Sequence, residues 1–220
     1  MQAITDTKDL TVQTLPPILV LTGEDVGQFE WLKKDILKKI GYDPSDLNYS
    51  YFDMKEASYA EVELDLVSLP FFADEKIVIL DHLLDLTTAK KRNLTDEDLK
   101  QFENYLENPS ESTRLVIFAE GKLDSKRRLV KLLKRDAQII EATTPKEQDL
   151  KRYFASQAQE LGIQFVGDSL DQLLLKSGYD FGELQKNLAL LQAYKEDGQI
   201  TLQDIKEVVP KSLQDNIFDL

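Results

Sequence analysis

The sequence predicts an α/β protein in which a parallel sheet carries helices on both faces and a small all-helical domain follows. Three observations lead to this fold class. Strand-like and helix-like segments alternate as far as residue 143, which is typical of a parallel sheet. Several strands are almost wholly apolar, as in "EKIVILDH" at 75–82, and such strands are usually buried on both faces. After "ATTP" at 142–145, only helical patterns remain.

The first domain is expected to span residues 1–143. Its strands are predicted, from apolar and β-branched runs, at 18–21, 48–54, 75–82, 113–120 and 137–142. Its helices are predicted, from apolar residues at helical spacing, at 29–40, 58–69, 94–108 and 125–135. Ser58 is the expected N-cap of the second helix, and Thr95 with Asp98 predicts a capping box on the third.

The second domain is expected to be a helical bundle at 144–210. Its helices are predicted at 146–162, 167–178, 180–198 and 201–209. The residues expected at left-handed C-terminal caps are Gly162, Gly178 and Gly198. The residues expected at N-caps are Asp168, Asp180 and Thr201. Residues 211–220 look like the opening of another helix, so we expect a truncated chain whose next domain is missing.

Composition limits the classes of function. The 220 residues include no cysteine and carry a formal net charge of −13. Thiolate chemistry is therefore excluded, and autonomous DNA binding is disfavoured because phosphate-neutralising proteins are usually basic. The N-terminus does not resemble a signal peptide, and no run approaches the ~18 apolar residues of a membrane helix. We expect a soluble cytoplasmic protein with no membrane association.

The loop "TGEDVGQFEW" at 22–31 stands where a nucleotide-binding α/β protein would hold phosphate. A working loop needs the pattern Gly-x-x-x-x-Gly-Lys followed by Ser or Thr, because backbone N–H groups and the lysine bind the phosphates and the hydroxyl binds magnesium. Here Gly23 and Gly27 have the wrong spacing, and Glu24 and Asp25 bring negative charge. We interpret the loop as a non-functional phosphate loop and expect no nucleotide hydrolysis.

Other catalytic chemistry finds little support. His82 is the single histidine, and it follows a predicted strand, a position that can be catalytic in α/β folds. No nucleophile motif such as Gly-x-Ser-x-Gly accompanies it, which favours a surface or hydrogen-bonded structural histidine. We therefore predict no catalytic residues, no metal site, no cofactor and no small-molecule substrate.

The predicted helix at 125–135 is basic on one side. Its basic residues are Lys126, Arg127, Arg128, Lys131, Lys134 and Arg135. The first interpretation is a solvated face with an apolar underside. The alternative is a surface for phosphate or for an acidic partner.

The segment "SLPFF" at 68–72 is unusually apolar for a connection into a strand. Pro70 prevents a continuing helix and favours an extended Leu69. Because Phe71 and Phe72 are adjacent, their side chains must point in different directions. Either these residues plug the edge of the sheet, or they form a hydrophobic anchor for a partner's pocket.

Four features in order along the chain resemble one family. They are the loop "GEDVGQFEW", the segment "SLPFFADEKIVIL", the helical region after "ATTPKEQDLKRY" and the final "NIFDL". Together they resemble the δ subunit family of the bacterial DNA polymerase III clamp loader, in its Gram-positive form. The resemblance implies a RecA-like, AAA+-type domain without a functional ATP site, a small helical lid domain, and a C-terminal collar domain that would begin at 211–220.

The resemblance also implies a function and a site. Such a subunit binds the ring-shaped β sliding clamp and holds it open during DNA replication. The implied clamp-binding residues are Ser68, Leu69, Pro70, Phe71 and Phe72, where Phe71 and Phe72 match the hydrophobic pair that is often Leu-Phe. The implied partners are the β sliding clamp and the delta-prime and gamma/tau loader subunits, with DNA only indirectly; polymerase activity would belong to the holoenzyme. A divergent P-loop or AAA+ ATPase and a non-catalytic scaffold remain the alternatives.

Overall fold

The structure, a computed structural model, describes residues 1–70, 73–195 and 197–210. The chain divides into two compact units, Gln2–Thr143 and the residues from Thr144 onward. Across the described ranges, no helix has both the length and the apolar character to cross a membrane. Phe71 and Phe72, which the sequence predicts as clamp-binding residues, lie outside the described residues. The same is true of residues 211–220, where a further domain is predicted to begin.

The first unit alternates strands with helices, as the sequence predicts. Its strands are β1 (Ile18–Gly23), β2 (Tyr49–Asp53), β3 (Lys76–Asp81), β4 (Thr113–Glu120) and β5 (Gln138–Ala142). Its helices are α1 (Gln2–Asp6), α2 (Val26–Lys39), α3 (Tyr59–Val67), α4 (Asp96–Glu107) and α5 (Arg128–Asp136), with a short 3-10 turn at Leu84–Leu86. The short helix α1 has no counterpart in the sequence prediction.

All five strands form one parallel sheet in the order β2-β3-β4-β1-β5. Strands β1 and β3 are buried along their whole length. One apolar core lies under α3, α4 and α5, and a second lies under α1 and α2 on the opposite face. The prediction of a parallel sheet covered on both faces is therefore confirmed. Since all strands are parallel, their amino ends share one edge and their carboxyl ends share the other.

The predicted caps of α3 and α4 form complete capping boxes. The Ser58 side chain accepts from the backbone N–H of Glu61, and Thr95 does the same for Asp98. Helix α5 begins three residues later than predicted because Asp124 initiates a turn: its carboxylate accepts from the backbone N–H of Lys126. Local side-chain bonding thus competes with the helix at this point.

The described part of the second unit contains four helices. They are α6 (Glu147–Glu160), α7 (Ser169–Lys176), α8 (Phe181–Tyr194) and α9 (Leu202–Val208). The sequence predicts helices alone, and the structure differs by adding a parallel pair, β6 (Gln164–Phe165) with β7 (Gln199–Ile200). Two-residue strands are too short to show an alternating pattern. They form because the connections between helices satisfy each other's backbone groups, as when Gln164 N donates to Gly198 O.

The predicted caps of this unit are mostly confirmed. Gly162 and Gly178 follow the C-caps of α6 and α7 with φ of +73° and +61°. The prediction for Gly198 is wrong, because α8 ends at Tyr194 and Gly198 lies in the turn before β7. The predicted N-caps Asp180 and Thr201 accept from the backbone, whereas Asp168 occupies its N-cap position without a capping bond.

Candidate functional site

The turn from β1 into α2 is closed by its own backbone. Gly23 has a φ of +131°, and a Cβ at this position would lie 2.1 Å from the carbonyl oxygen of Ala142 in β5. Only glycine fits such a close approach. Gly23 also exchanges two backbone hydrogen bonds with Gly121, at 3.0 and 2.7 Å.

Two of the N–H groups at this turn, those of Asp25 and Gln28, are already bonded within the protein. The N–H of Asp25 donates to Ala142 O at 3.2 Å, and the Asp25 carboxylate accepts from Gln28 N at 2.8 Å as the N-cap of α2. An anion would therefore have to displace a carboxylate from the end of the helix. Glu24 is exposed beside it and Gly27 lies within α2, so the four predicted loop residues form a turn unsuited to phosphate.

A buried ion pair lies at the same, carboxyl edge of the sheet. Asp81, the last residue of β3, is buried, and its carboxylate accepts from Lys33 Nζ and from the Tyr51 hydroxyl, both at 2.5 Å. Burial and the bond to this carboxylate raise the pKa of Tyr51 well above its usual range. In P-loop NTPases the Walker-B aspartate holds Mg²⁺. Here a lysine from α2 supplies the neutralising charge.

His82 follows Asp81 in a left-handed conformation, with φ of 56°. Its Nδ1 lies 2.9 Å from the carboxylate of Asp53 and 3.4 Å from that of Asp81. Burial would raise the pKa of Asp53, but the hydrogen bonds from Lys55 N and His82 outweigh it and lower that pKa. This arrangement favours the hydrogen-bonded structural interpretation of the histidine over a catalytic one.

The predicted partner-binding segment begins at the opposite, amino edge of the sheet. Ser68 is the C-cap of α3, with an extended backbone, and its N–H donates to Leu64 O. Leu69 is 77% exposed, which argues against the hypothesis that it plugs the sheet edge. Pro70 is half-buried and ends the described part of the segment, because the next two residues are not described.

A buried lysine fixes the end of α3 to the sheet. Lys76, the first residue of β3, donates to Ser68 Oγ at 2.6 Å and also to the backbone and carboxylate of Asp65. The Thr113 hydroxyl of β4 donates to Leu66 O at 3.2 Å. Sequence reasoning missed these contacts. The signal was a charged residue opening an apolar strand, since lysine is rarely buried without partners.

The basic helix presents the pattern that its sequence predicts. Its apolar residues are all buried: Leu129, Val130, Leu132 and Leu133. Arg128 pairs with Glu107 at 2.5 Å, and Arg127 precedes the helix and donates to the carbonyl of Asp85. Three of the six basic residues, Arg127, Arg128 and Arg135, pair with carboxylates of the same unit. The buried underside and these pairs favour the interpretation as a solvated face.

Comparison with known proteins identifies the family. The family model described as DNA polymerase III, delta subunit, matches residues 19–143, which is more than half of the chain. The chain belongs to the DNA polymerase III delta subunit family. The turn at Gly23 and the exposed Leu69 both lie within the matched residues.

Two of the matches to this delta-family chain, one to a curated sequence and one to a solved structure, are to delta protein of Bacillus subtilis. The DNA polymerase III subunit delta of strain 168 is 27% identical over 219 residues, covering 97% of this chain and 62% of the relative. The solved B. subtilis DNA clamp loader delta protein superposes with a TM-score of 0.66 at 24% identity, covering 99% of this chain and 64% of the other. In both matches the chain spans less than two thirds of the length of the Bacillus subtilis protein.

A more distant match extends the fold comparison. A RuvB protein of Thermotoga maritima superposes with a TM-score of 0.51 at 10% identity, covering 86% of this chain and 60% of the other. At such low identity the similarity concerns the fold alone. With the five-stranded parallel sheet, these matches confirm the predicted RecA-like, AAA+-type fold class.

Proposed function

We propose that this chain acts as a clamp-loader subunit that binds the β sliding clamp and holds it open during DNA replication. The observation that carries the proposal is the exposed Leu69 on a segment whose base is fixed by Lys76. Phe71 and Phe72 continue this segment in the sequence and supply the hydrophobic pair for the clamp pocket. Ser68, Leu69 and Pro70 form the adjoining contacts.

We further propose that the chain works without hydrolysing ATP. The closed turn at Gly23 and Asp25 and the internal pair of Lys33 with Asp81 both support this. A ligand shifts a conformational equilibrium only by the difference in its affinity for the two states. Holding the ring open therefore requires tighter binding to the open clamp than to the closed one. It does not require this chain to hydrolyse ATP.

Burial of the two phenylalanines alone is not enough to give a tight complex with the clamp. Burying two such side chains contributes roughly 3–6 kcal/mol, whereas a nanomolar complex needs about 12 kcal/mol. Neighbouring surface must supply the difference. The exposed residues beside the segment are the natural source, since α3 leads directly into it.

The same proposal assigns roles to the rest of the chain. Residues 1–143 form the RecA-like domain with the clamp-binding element, and residues 144–210 form the lid domain. The delta-prime and gamma/tau subunits are the proposed partners within a cytoplasmic loader, and DNA is approached only through that assembly. This arrangement is compatible with the net charge of −13.

The double variant Phe71→Ala, Phe72→Ala tests the anchor. Surface plasmon resonance against the sliding clamp of the same organism should show binding by the unchanged chain and none by the variant. Tyr194→Ala, which removes an exposed aromatic side chain of α8, is the matched control and should bind normally. Undiminished clamp affinity of a folded double variant would remove the basis of the proposal.

The two alternatives make different predictions. A divergent ATPase should bind ATP and Mg²⁺ saturably at micromolar concentration in equilibrium dialysis. A scaffold with a buried "SLPFF" should lose the fold of its first unit in the double variant, visible as a lower unfolding midpoint. We expect neither result.

A further inference from the structure

Helix α3 exposes an apolar stripe on its outer face. Leu64 is 72% exposed, Val67 is 60% exposed, and Leu69 follows at 77%. Residues three apart lie on the same side of a helix, so Leu64 and Val67 are neighbours. The inner face of the helix is buried through Val62 and Leu66, so these outer residues have no role in the core.

Acidic groups border the stripe. Glu61 and Glu63 lie in α3, and Asp74 lies just beyond the segment. Among the residues that the structure describes, none of these three carboxylates forms an ion pair. The lysine at this end of α3, Lys76, is buried and bonded to Asp65. The stripe is therefore bordered by three carboxylates that have no ion-pair partner among the described residues.

The stripe is also held in place before any partner binds. Lys76 bonds the last turn of α3, and Thr113 bonds the carbonyl of Leu66. Little conformational freedom is then lost on binding, which favours affinity for a given contact area.

We propose that Leu64 and Val67 form a second apolar contact with the sliding clamp, on a clamp surface bordered by lysine or arginine. This inference rests on the proposed function, since the stripe runs directly into residues 68–72. It adds that the partner surface extends beyond the pocket for the aromatic pair, and that it is basic at its border. Opposite charge around an apolar contact accelerates association and fixes orientation.

The acidic border also argues against other occupants. A second copy of this chain would bring the same carboxylates against Glu61 and Glu63, and like charges repel. An anionic lipid surface would be repelled for the same reason. A basic-bordered protein surface is the occupant that the charge favours.

The test is the double variant Leu64→Gln, Val67→Gln, in which glutamine keeps helix propensity. Its affinity for the purified clamp should fall at least tenfold, mainly through faster dissociation, because buried apolar contact is lost. The matched controls are Val26→Gln, at 55% exposure, and Leu175→Gln, at 58%. Both should bind like the unchanged chain, and circular dichroism should show all variants folded.

The outcomes separate this inference from the proposed function. Loss of binding in the Phe71→Ala, Phe72→Ala variant, with unchanged affinity in the Leu64→Gln, Val67→Gln variant, would overturn the second contact alone. Undiminished binding in both variants would overturn both proposals.

The charge component has its own test. Glu63→Gln with Asp74→Asn should slow association severalfold at low salt and weaken its salt dependence. If this variant associates with the clamp as fast as the unchanged chain does, the proposal that the clamp surface is bordered by lysine or arginine is overturned.

Discussion

Replacing Lys33 with methionine should destabilise the first unit through a single buried carboxylate. Asp81 is buried at the end of β3, and Lys33 Nζ lies 2.5 Å from its carboxylate. Among the described residues, the one other ion-pair partner of Asp81 is His82, whose Nδ1 is 3.4 Å away. Without the ammonium, the carboxylate keeps the Tyr51 hydroxyl and the N–H of His82. It then has hydrogen bonds but no opposite charge at close range.

The expected loss in free energy of unfolding follows from the burial of the Lys33–Asp81 pair. Removing one partner of a buried ion pair costs about 3–5 kcal/mol. Because two hydrogen bonds to Asp81 remain, we expect a loss near the lower end, about 3 kcal/mol. The second change Asp81→Asn in the same chain removes the unpaired charge. Its amide oxygen can still accept from the N–H of His82, and its NH2 group can donate to the Tyr51 hydroxyl oxygen, so the second bond is kept with its direction reversed. The double variant should therefore restore a large part of the lost stability.

The assay is urea unfolding followed by tryptophan fluorescence. Trp31 is the single tryptophan and lies in α2, so its signal reports the first unit. The Lys33→Met midpoint should fall with little change in slope, and the double variant should recover. A loss below about 0.5 kcal/mol, the range of an ordinary surface substitution, would refute this account of the carboxyl edge.

Three further predictions concern the turn and the caps. Gly23→Ala should lower the free energy of unfolding by about 2 kcal/mol or more in the same assay, because a Cβ would meet Ala142 O at 2.1 Å; an unaltered midpoint would contradict the close approach. Ser58→Ala should cost about 1 kcal/mol through loss of the α3 cap, measured by urea unfolding, and no change would show that the cap contributes nothing. Hydrogen bonds from the side chain and backbone of Thr201, then from Lys195, lower the pKa of Asp204 to about 2 from 3.8. Since the folded-state pKa is depressed, this stabilisation is present above about pH 4 and is lost as pH falls towards 2. The gap in thermal midpoint between the unchanged chain and Asp204→Asn should therefore narrow over that interval, and a constant gap would contradict the assignment.

The fold was predictable because local patterns and global packing agree. The apolar runs around Val20 and Ile79 predict buried strands, and both prove buried. Ser58 and Thr95 predict helix starts that form complete capping boxes. The pair β6 and β7 was not predictable, because strands of two residues leave no periodicity in the sequence.

The candidate site was predictable only in part. The wrong spacing and negative charge of the loop at Gly23 predict its unsuitability for phosphate from residue types alone. The bonding partners of Lys33 and Lys76 depend on which strand and helix ends meet in the folded sheet. No local sequence pattern encodes those long-range contacts. The role of Phe71 and Phe72 stays a prediction, since both lie outside the described residues.

Calorimetric titration of this chain with its sliding clamp, with and without ATP and Mg²⁺, tests the central claim most directly. A clamp-opening subunit that uses no nucleotide should bind with the same Kd under both conditions. Absence of binding, or binding that appears only with ATP, would contradict the account.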